Sequence, residues 1–409
     1  MDNHALRPEI SPLKSPSRSE FIALLALLFA TIALSIDAML PALPEIATAL
    51  SPAAPNKAQL VITSFVFGMG LGTLFAGPLS DSFGRKATIL AGFALYIAAA
   101  AAAWAAPSLE TLLAARVIMG IGAAAPRTVS IAMVRDLFKG REMAQIMSFA
   151  MMIFTLVPAV APLMGQSVIA LAGWQAIFLA YIGFALLVAA WLHLRQPETL
   201  PRTARRPLAL APLARACAEV LSLRIVQISI ATQALTLGML FATLSSMEGI
   251  FDQTFARGES FPLWFAVIAV ASMSGSILNA RLVMKVGMRG MVKATYATLL
   301  ATTLAYLALA ASGVLGDVAG FAAHILWSIV LFAVMGLTLG NLNALAMEPL
   351  GHVAGMAASV TSAIATVVSV VLAVPVGQMF DGTQLPLLAG VALYAALALA
   401  LSLLLRARA

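Results

Sequence analysis

Twelve apolar runs, each long enough to cross a bilayer, constrain this chain more than any other feature. A spanning helix needs about 20 mostly apolar residues. Inside lipid the backbone must satisfy its own hydrogen bonds, so spanning segments of this length are helical. The runs fall at 20–43, 58–80, 88–106, 110–134, 143–171 and 174–194, then at 224–247, 262–283, 293–315, 321–345, 355–378 and 386–405. Only 10% of the 409 residues are charged, against roughly 25% in a soluble globular domain. That is too little charge to cover a soluble surface, and lipid must cover it instead. The sequence therefore predicts an all-α membrane protein with 12 transmembrane helices. No small-residue cleavage site follows the first run, so it reads as a retained helix and not as a signal peptide.

The polar break at 195–223 carries Pro197, Pro201, Pro207, Pro212 and five arginines. It divides the chain into a tail at 1–19, a six-helix bundle at 20–194, a linker at 195–223, a second six-helix bundle at 224–405 and a tail at 406–409. Placing both termini in the cytoplasm puts 20 of the 24 Lys and Arg residues on the cytoplasmic side. These include Arg7, Lys14, Arg18, Arg85, Lys86, Arg135, Lys139 and Arg141, the linker arginines with Arg224, then Arg281, Lys285, Arg289, Lys293, Arg406 and Arg408. Only Lys57 and Arg257 fall on the other side, as the positive-inside rule requires. A net charge of +7 is thus a topology signal and not a nucleic-acid surface. Two faint internal matches suggest that the bundles are pseudo-symmetric. Gly84-Arg85-Lys86 pairs with Gly287-Met288-Arg289, and Pro162-Leu163-Met164-Gly165-Gln166 pairs with Pro375-Val376-Gly377-Gln378. Such repeats place a binding cavity at the interface between halves and permit alternating access by rocking.

Several chemistries are disfavoured. Cys217 is the one cysteine, so the chain forms no internal disulfide or cysteine metal cluster. It reads as a small residue of the connecting segment. The four histidines are scattered at 4, 193, 324 and 352, which argues against a metal centre or a membrane-embedded enzyme. No Gly-Lys-Ser/Thr phosphate loop is found, so ATP bound to this chain does not drive it.

Against that background the few polar residues inside the runs are informative. Asp37 follows Glu20 by 17 residues, about 25 Å along a helix, in the outer half of the first span. An acid there is a functional candidate by default. Desolvation favours its neutral form, the property a proton-binding site needs; the alternatives are a hydrated acid near the surface or one paired with arginine. Arg116 and Arg127 lie eleven residues apart on the fourth helix, within about 20° of one face and about 16 Å apart. That face points to a cavity. Arg127 alternatively reaches the cytoplasmic edge, and Arg116 alternatively clamps helices together. Gly77-Pro78-Leu79-Ser80-Asp81-Ser82-Phe83-Gly84-Arg85-Lys86 forms a tight cytoplasmic turn: Gly84 tolerates positive φ and Asp81 can accept from an arginine or a helix N-terminus. On spacing alone it is equally a topology-fixing basic loop. Pro158, Pro162 and Gly165 bend the fifth helix. Among 20 methionines, Met147, Met151 and Met152 with Phe65, Phe67, Met119, Phe154, Met239 and Trp264 are candidates for an adaptable pocket, or simply packing residues. His324 and Glu348 are weaker candidates for coupling, explained equally by an interfacial position.

These segments together resemble the major facilitator superfamily. The Gly77–Lys86 loop resembles its signature loop, and Arg116-Val117-Ile118-Met119-Gly120-Ile121-Gly122-Ala123 resembles its helix-4 arginine motif. Pro158-Ala159-Val160-Ala161-Pro162-Leu163-Met164-Gly165 resembles the proline-glycine motif of its antiporters. Asp37-Ala38-Met39-Leu40-Pro41-Ala42-Leu43-Pro44, Gly173-Trp174-Gln175-Ala176-Ile177-Phe178 and Pro197-Glu198-Thr199 are similar to the Bcr/CflA drug-resistance branch. Ser82, Met119 and Met39 depart from the residues usual at their motif positions. The resemblance implies the major facilitator fold and a monomeric, non-enzymatic secondary transporter in a bacterial inner membrane. It implies export of small amphipathic drugs or metabolites in exchange for protons, with no other cofactor and no metal. It further implies a proton-coupling role for Asp37 and Arg116, and a conformational latch of Gly77, Asp81, Gly84, Arg85, Lys86 and Asp136 that joins the halves in the outward-facing state. Proton-coupled uptake is the alternative, and the fifth-helix motif argues against it.

Overall fold

The computed structural model of the chain describes residues 16–205, 207–208, 210–350 and 354–405. Arg7, Lys14, Arg206, Arg406 and Arg408 of the cytoplasmic charge set lie outside the described residues, as do most of the 1–19 tail and all of the 406–409 tail. Twelve helices are long and apolar enough to span a membrane. In chain order they are α1 (Arg18–Leu50), α2 (Pro55–Phe83), α3 (Arg85–Trp104), α4 (Leu109–Leu137), α5 (Gly140–Ala172) and α6 (Ala176–Arg195), then α7 (Arg224–Thr254), α8 (Gly258–Val286), α9 (Met288–Ala311), α10 (Asp317–Met347), α11 (Gly355–Gln378) and α12 (Leu385–Leu403). Each coincides with one of the twelve apolar runs. The break between α6 and α7 is not all irregular: Leu210–Ser222 forms a further helix, which packs against α11 and α7.

Two spans run well past their hydropathic ends, and backbone chemistry explains each. In α1 the regular helix stops at Asp37, a short 3-10 turn covers Leu40–Ala42, and a second helical stretch covers Leu43–Leu50. Pro41 has no N–H to donate to the carbonyl four residues back, which is that of Asp37. In α7 the helix passes into a π-turn at Ile250–Thr254 immediately after Glu248 and Gly249.

In the first half α4 packs closely between α2 and α3, and α1 lies on α5. In the second half α7 packs along α11 and α12, and α9 sits between α10 and α12. Across the halves α2 lies against α11, and α5 against the Phe261–Ser272 part of α8. Large apolar side chains such as Leu187, Leu194, Leu263, Leu326 and Val371 are more than half exposed. They form the outer surface that lipid covers.

The turns repeat between the halves. Gly84 (φ 104°) between α2 and α3 corresponds to Gly287 (φ 76°) between α8 and α9. At the N-terminus of α3 Arg85 binds Asp136 from the end of α4, and at the N-terminus of α9 Arg289 binds Glu348 from the end of α10. The weak internal match in the sequence thus reflects a repeated device of turn and ion pair.

Candidate functional site

Asp37 is 5% exposed and ends the first helical stretch of α1. No hydrogen bond or ion pair ties its carboxylate to a described residue. It therefore lacks the compensation that a buried charge needs. Directly behind it, Gly165 of α5 meets the backbone of Ala38: a Cβ on Gly165 would overlap the Ala38 carbonyl oxygen. The proline-glycine segment of α5 and the acid of α1 are therefore one packed unit.

Arg116 is fully buried in α4. Its Nε donates to the Val61 carbonyl at 3.0 Å and its Nη2 to the Ser35 carbonyl at 2.9 Å. Its guanidinium stacks 4.5 Å from the centre of the Phe65 ring. Its Nη1 has no hydrogen-bond partner among the described residues. The reach to α2 depends on Gly120, one turn along, where a Cβ would sit 2.7 Å from the Met69 nitrogen. Around Ser35 two tyrosines complete the cluster. Tyr96 bonds the Ser35 hydroxyl at 2.7 Å, Tyr181 donates to the Ser35 carbonyl at 3.3 Å, and the Tyr181 hydroxyl is within electrostatic reach of both Arg116 and Asp37. Sequence reasoning alone does not single out Ser35, Tyr96 or Tyr181. Their hydroxyls matter only because α1, α3 and α6 converge on α4.

Arg127 behaves differently from Arg116 although both belong to α4. It is exposed, and no ion pair reaches it among the described residues. Phe154 of α5 is half-buried, edge-on to Phe29 at 6.3 Å. Phe65, Met119 and Met239 are wholly buried, Phe65 beneath Arg116. Met151 and Met152 are exposed, and Trp264 packs edge-on against Phe321.

The loop between α2 and α3 forms a compact charge cluster. Arg85 is buried and binds Asp81 through Nη1 and Asp136 through Nε, the latter at 2.9 Å. Gly77 lies against Ser359 of α11, and the Lys86 ammonium donates to the His193 carbonyl at 2.7 Å. The start of the linker joins in. Glu198 accepts from the backbone N–H groups of Arg85 and Lys86 at 2.9 and 3.1 Å, so it caps the N-terminus of α3. Thr199 donates to Asp136 at 3.1 Å. A side chain at Gly84 would collide with Glu198 as well as demand an unfavourable φ. All the ion-pair partners of Arg85 belong to the first half.

At the basic end Gly77 and Arg135 meet α11, but the side-chain hydrogen bonds that join the two halves among the described residues lie at the opposite end, the end poor in lysine and arginine. Asn56 Nδ2 donates to the carbonyls of Gln378 and Phe380 at 3.1 and 2.7 Å, and Gln378 Nε2 donates to the Asn56 carbonyl at 2.8 Å. Gln166 Nε2 donates to the Glu259 carbonyl at 3.2 Å. The Ser274–Val286 part of α8, nearer the basic end, is largely exposed, as is the facing part of α5. The halves are thus closed at the cation-poor end and apart between α5 and α8 at the basic end.

Two weaker candidates take different places, His324 inside the second half and Glu348 at the basic end. His324 is fully buried, with Phe251, Phe255, Tyr306 and Trp327 rings 5.4 to 6.1 Å from its own. Both of its ring nitrogens lack partners. Glu348 is half-exposed at the basic end, and its partner is Arg289 rather than either arginine of α4. A buried acid that the sequence reading passes over, Glu248, is 8% exposed in α7. It lies one residue beyond the 224–247 apolar run, among polar residues that end the hydropathy signal.

Residues 25–375 match the family described as Major Facilitator Superfamily. An uncharacterised MFS-type transporter, YdgK of Bacillus subtilis (strain 168), is 32% identical over 361 residues, covering 85% of this chain and 86% of that one. A bicyclomycin resistance protein homolog of Haemophilus influenzae is 33% identical over 284 residues, covering 67% and 69%. The fold is similar to that of the xylose transporter XylE from E. coli in a partially occluded inward-open conformation. The TM-score is 0.73, at 13% identity, over 95% of this chain and 98% of that one. This chain, with its twelve spans in two repeated halves, belongs to the Major Facilitator Superfamily of secondary transporters.

Proposed function

We propose that this transporter is a proton-coupled antiporter that exports small amphipathic molecules from the cytoplasm. The observation that carries the reading is Asp37: a buried carboxylate without a counter-ion, at a proline-induced break in α1. Leaving such a group charged costs several kcal/mol more than in water, so a proton is its natural ligand when no cation is near. Arg116, buried with a free Nη1 and linked to the same stretch of α1 through Ser35, is the group that senses whether Asp37 is charged.

Orientation follows from charge and closure. The basic end is cytoplasmic by the positive-inside rule, both termini are on that side, and the membrane is the bacterial cytoplasmic membrane. The closed, cation-poor end is then external, and the arrangement described above is open to the cytoplasm. A substrate enters past Arg127 and Phe154. A proton reaching Asp37 from outside in the alternate state restores this one, and returns inward as the next substrate binds. Gly77, Asp81, Gly84, Arg85, Lys86 and Asp136, with Glu198, hold the α2–α3 turn rigid so that the first half moves as one body. The name of the Haemophilus relative, and a chloramphenicol resistance protein of Pseudomonas aeruginosa that is 36% identical over 41% of this chain, support drug-like substrates.

The test is accumulation of bicyclomycin, chloramphenicol and a panel of cationic, neutral and anionic dyes in an exporter-deficient host. Lower accumulation of some compounds in producing cells, abolished by a protonophore, is the expected result. Higher accumulation would favour proton-coupled uptake instead.

A further inference from the structure

The mechanism above uses one buried acid, in the first half; the second half holds another. Glu248 is 8% exposed, and no hydrogen bond or ion pair ties its carboxylate to a described residue. Among the described residues no lysine or arginine pairs with it, and Arg257, beyond the end of α7, is held by Asp317 and the Phe321 ring. Asp252, one turn further along α7 and exposed, is the charged group that acts on it. The spans packed along α7 are poor in charge: α11 and α12 have none, and α10 has Asp317, which is held by Arg257, and the buried His324. Nearby α2 contributes Lys57 and Asp81, at its two ends. The neighbouring hydroxyls of Ser245 and Ser246 are buried and unpartnered.

Its position repeats that of Asp37. Leu28-Phe29-Ala30-Thr31 of α1 recurs as Leu240-Phe241-Ala242-Thr243 of α7, 212 positions later, the same separation as between Gln166 and Gln378. The repeat is structural as well. Thr31 Oγ1 donates to the Leu27 carbonyl and Thr243 Oγ1 to the Met239 carbonyl, again 212 positions apart. In this register Glu248 falls one residue from the counterpart of Asp37. Each acid is followed by a departure from α-helix, a 3-10 turn after Asp37 and a π-turn after Glu248, and single π-turns occur often at functional sites. The 3-10 turn after Asp37 also touches α7 itself. Gly249, next to Glu248, lies against Phe380, whose carbonyl accepts from Asn56 of the first half at the cation-poor end.

We propose that Glu248 is a second proton-binding carboxylate, in the second half and next to the position that matches Asp37, with Asp252 as its link to the outer solvent. The inference rests on the antiport reading for its role in coupling, though not for the proton itself. An unpaired carboxylate with no cation beside it is tolerated when it carries a proton. Movement of the halves apart at this end would open both acids to the same outer water, so that each half loads its own proton.

Infrared spectroscopy of the purified full-length protein in lipid at neutral pH tests this without any substrate. The C=O stretch of protonated carboxyl groups should contain one component that Glu248→Gln removes and a separate one that Asp37→Asn removes. Glu248→Asp, which keeps a carboxyl and serves if the Gln variant misfolds, should shift the first component and leave the second. Wild-type and Glu248→Gln spectra that coincide in this region would overturn the proposal, because Glu248 would then be ionised. The failure of antiport has a different signature: protein that moves no protons across vesicle membranes while the Glu248 component is present. Proton movement with no such component would overturn the inference and leave antiport through Asp37 standing.

Discussion

Gln166 and Gln378 occupy matching places in α5 and α11, and each reaches across to the opposite half. Gln166 donates to the Glu259 carbonyl at the start of α8, and Gln378 to the Asn56 carbonyl at the start of α2. The pair forms a pseudo-twofold clasp at the cation-poor end. A neutral hydrogen bond contributes about 0.5–1.5 kcal/mol net, so the clasp biases the equilibrium between closed and open without locking it. Removing both bonds, in a Gln166→Leu, Gln378→Leu double variant, should shift the population toward the outward-open state. A cysteine at the buried position Ser245, in a Cys217→Ser background, should then label several-fold faster with an impermeant maleimide added to intact cells. An unchanged rate would show that the clasp does not govern closure.

Gly165 is a position where a single methyl group has a predictable effect. Its Cβ would overlap the Ala38 carbonyl, so Gly165→Ala must push α5 away from the Asp37 segment. Overpacking of this kind costs about 1–3 kcal/mol. The variant should unfold at lower temperature than wild type and lose most of its transport. Melting of the purified protein and substrate accumulation in cells check the two effects. Retention of both would mean that α1 and α5 separate freely.

The two arginines of α4 should respond differently to the same chemistry. Arg116 spans two carbonyls and an aromatic face, a geometry that an ammonium cannot reproduce. Arg116→Lys should reduce transport by an order of magnitude or more and lower stability. Arg127→Lys should fold normally and change which substrates are accepted. In the Cys217→Ser background Arg127→Cys should react with an impermeant thiol reagent in everted vesicles, and Arg116→Cys should not.

At the basic end Glu198 caps α3 through two backbone N–H groups. Loss of a cap costs about 0.5–2 kcal/mol, and Glu198→Ala should also free the linker for proteolysis near 200. Asp81 is nearly half exposed, and a pair so open to water is worth about 0–1 kcal/mol in stability. Asp81→Asn should therefore accumulate at normal abundance while transport falls. Normal transport in that variant would remove Asp81 from the proposed rigid turn.

What was legible in the sequence followed from the bilayer. Spans need apolar length, so all twelve appeared as hydropathy. Asp37, Arg116 and the Gly77–Lys86 turn stood out because charge is rare in such a chain. Residues whose meaning depends on neighbours did not stand out. Tyr96 and Tyr181 look like ordinary membrane aromatics until α3 and α6 bring them to Ser35. Glu248 fell just outside its apolar run because the π-turn that follows is polar. Helical phase put Arg116 and Arg127 on one face but could not tell that α1 and α2 cover only the first. Glu348 and His324 looked alike in sequence, yet one is half-exposed against Arg289 and the other is sealed among aromatic rings.

The most direct test of proton exchange at Asp37 is proton movement in everted membrane vesicles. With protein overproduced in a host stripped of its own exporters, a pH-sensitive dye follows the respiratory proton gradient as compounds that the accumulation assay shows to be exported are added. The account predicts that they dissipate the gradient in wild-type vesicles and fail to do so with Asp37→Asn at equal abundance. Equal dissipation by both proteins, or export of these compounds by wild type with no movement of protons, would contradict it.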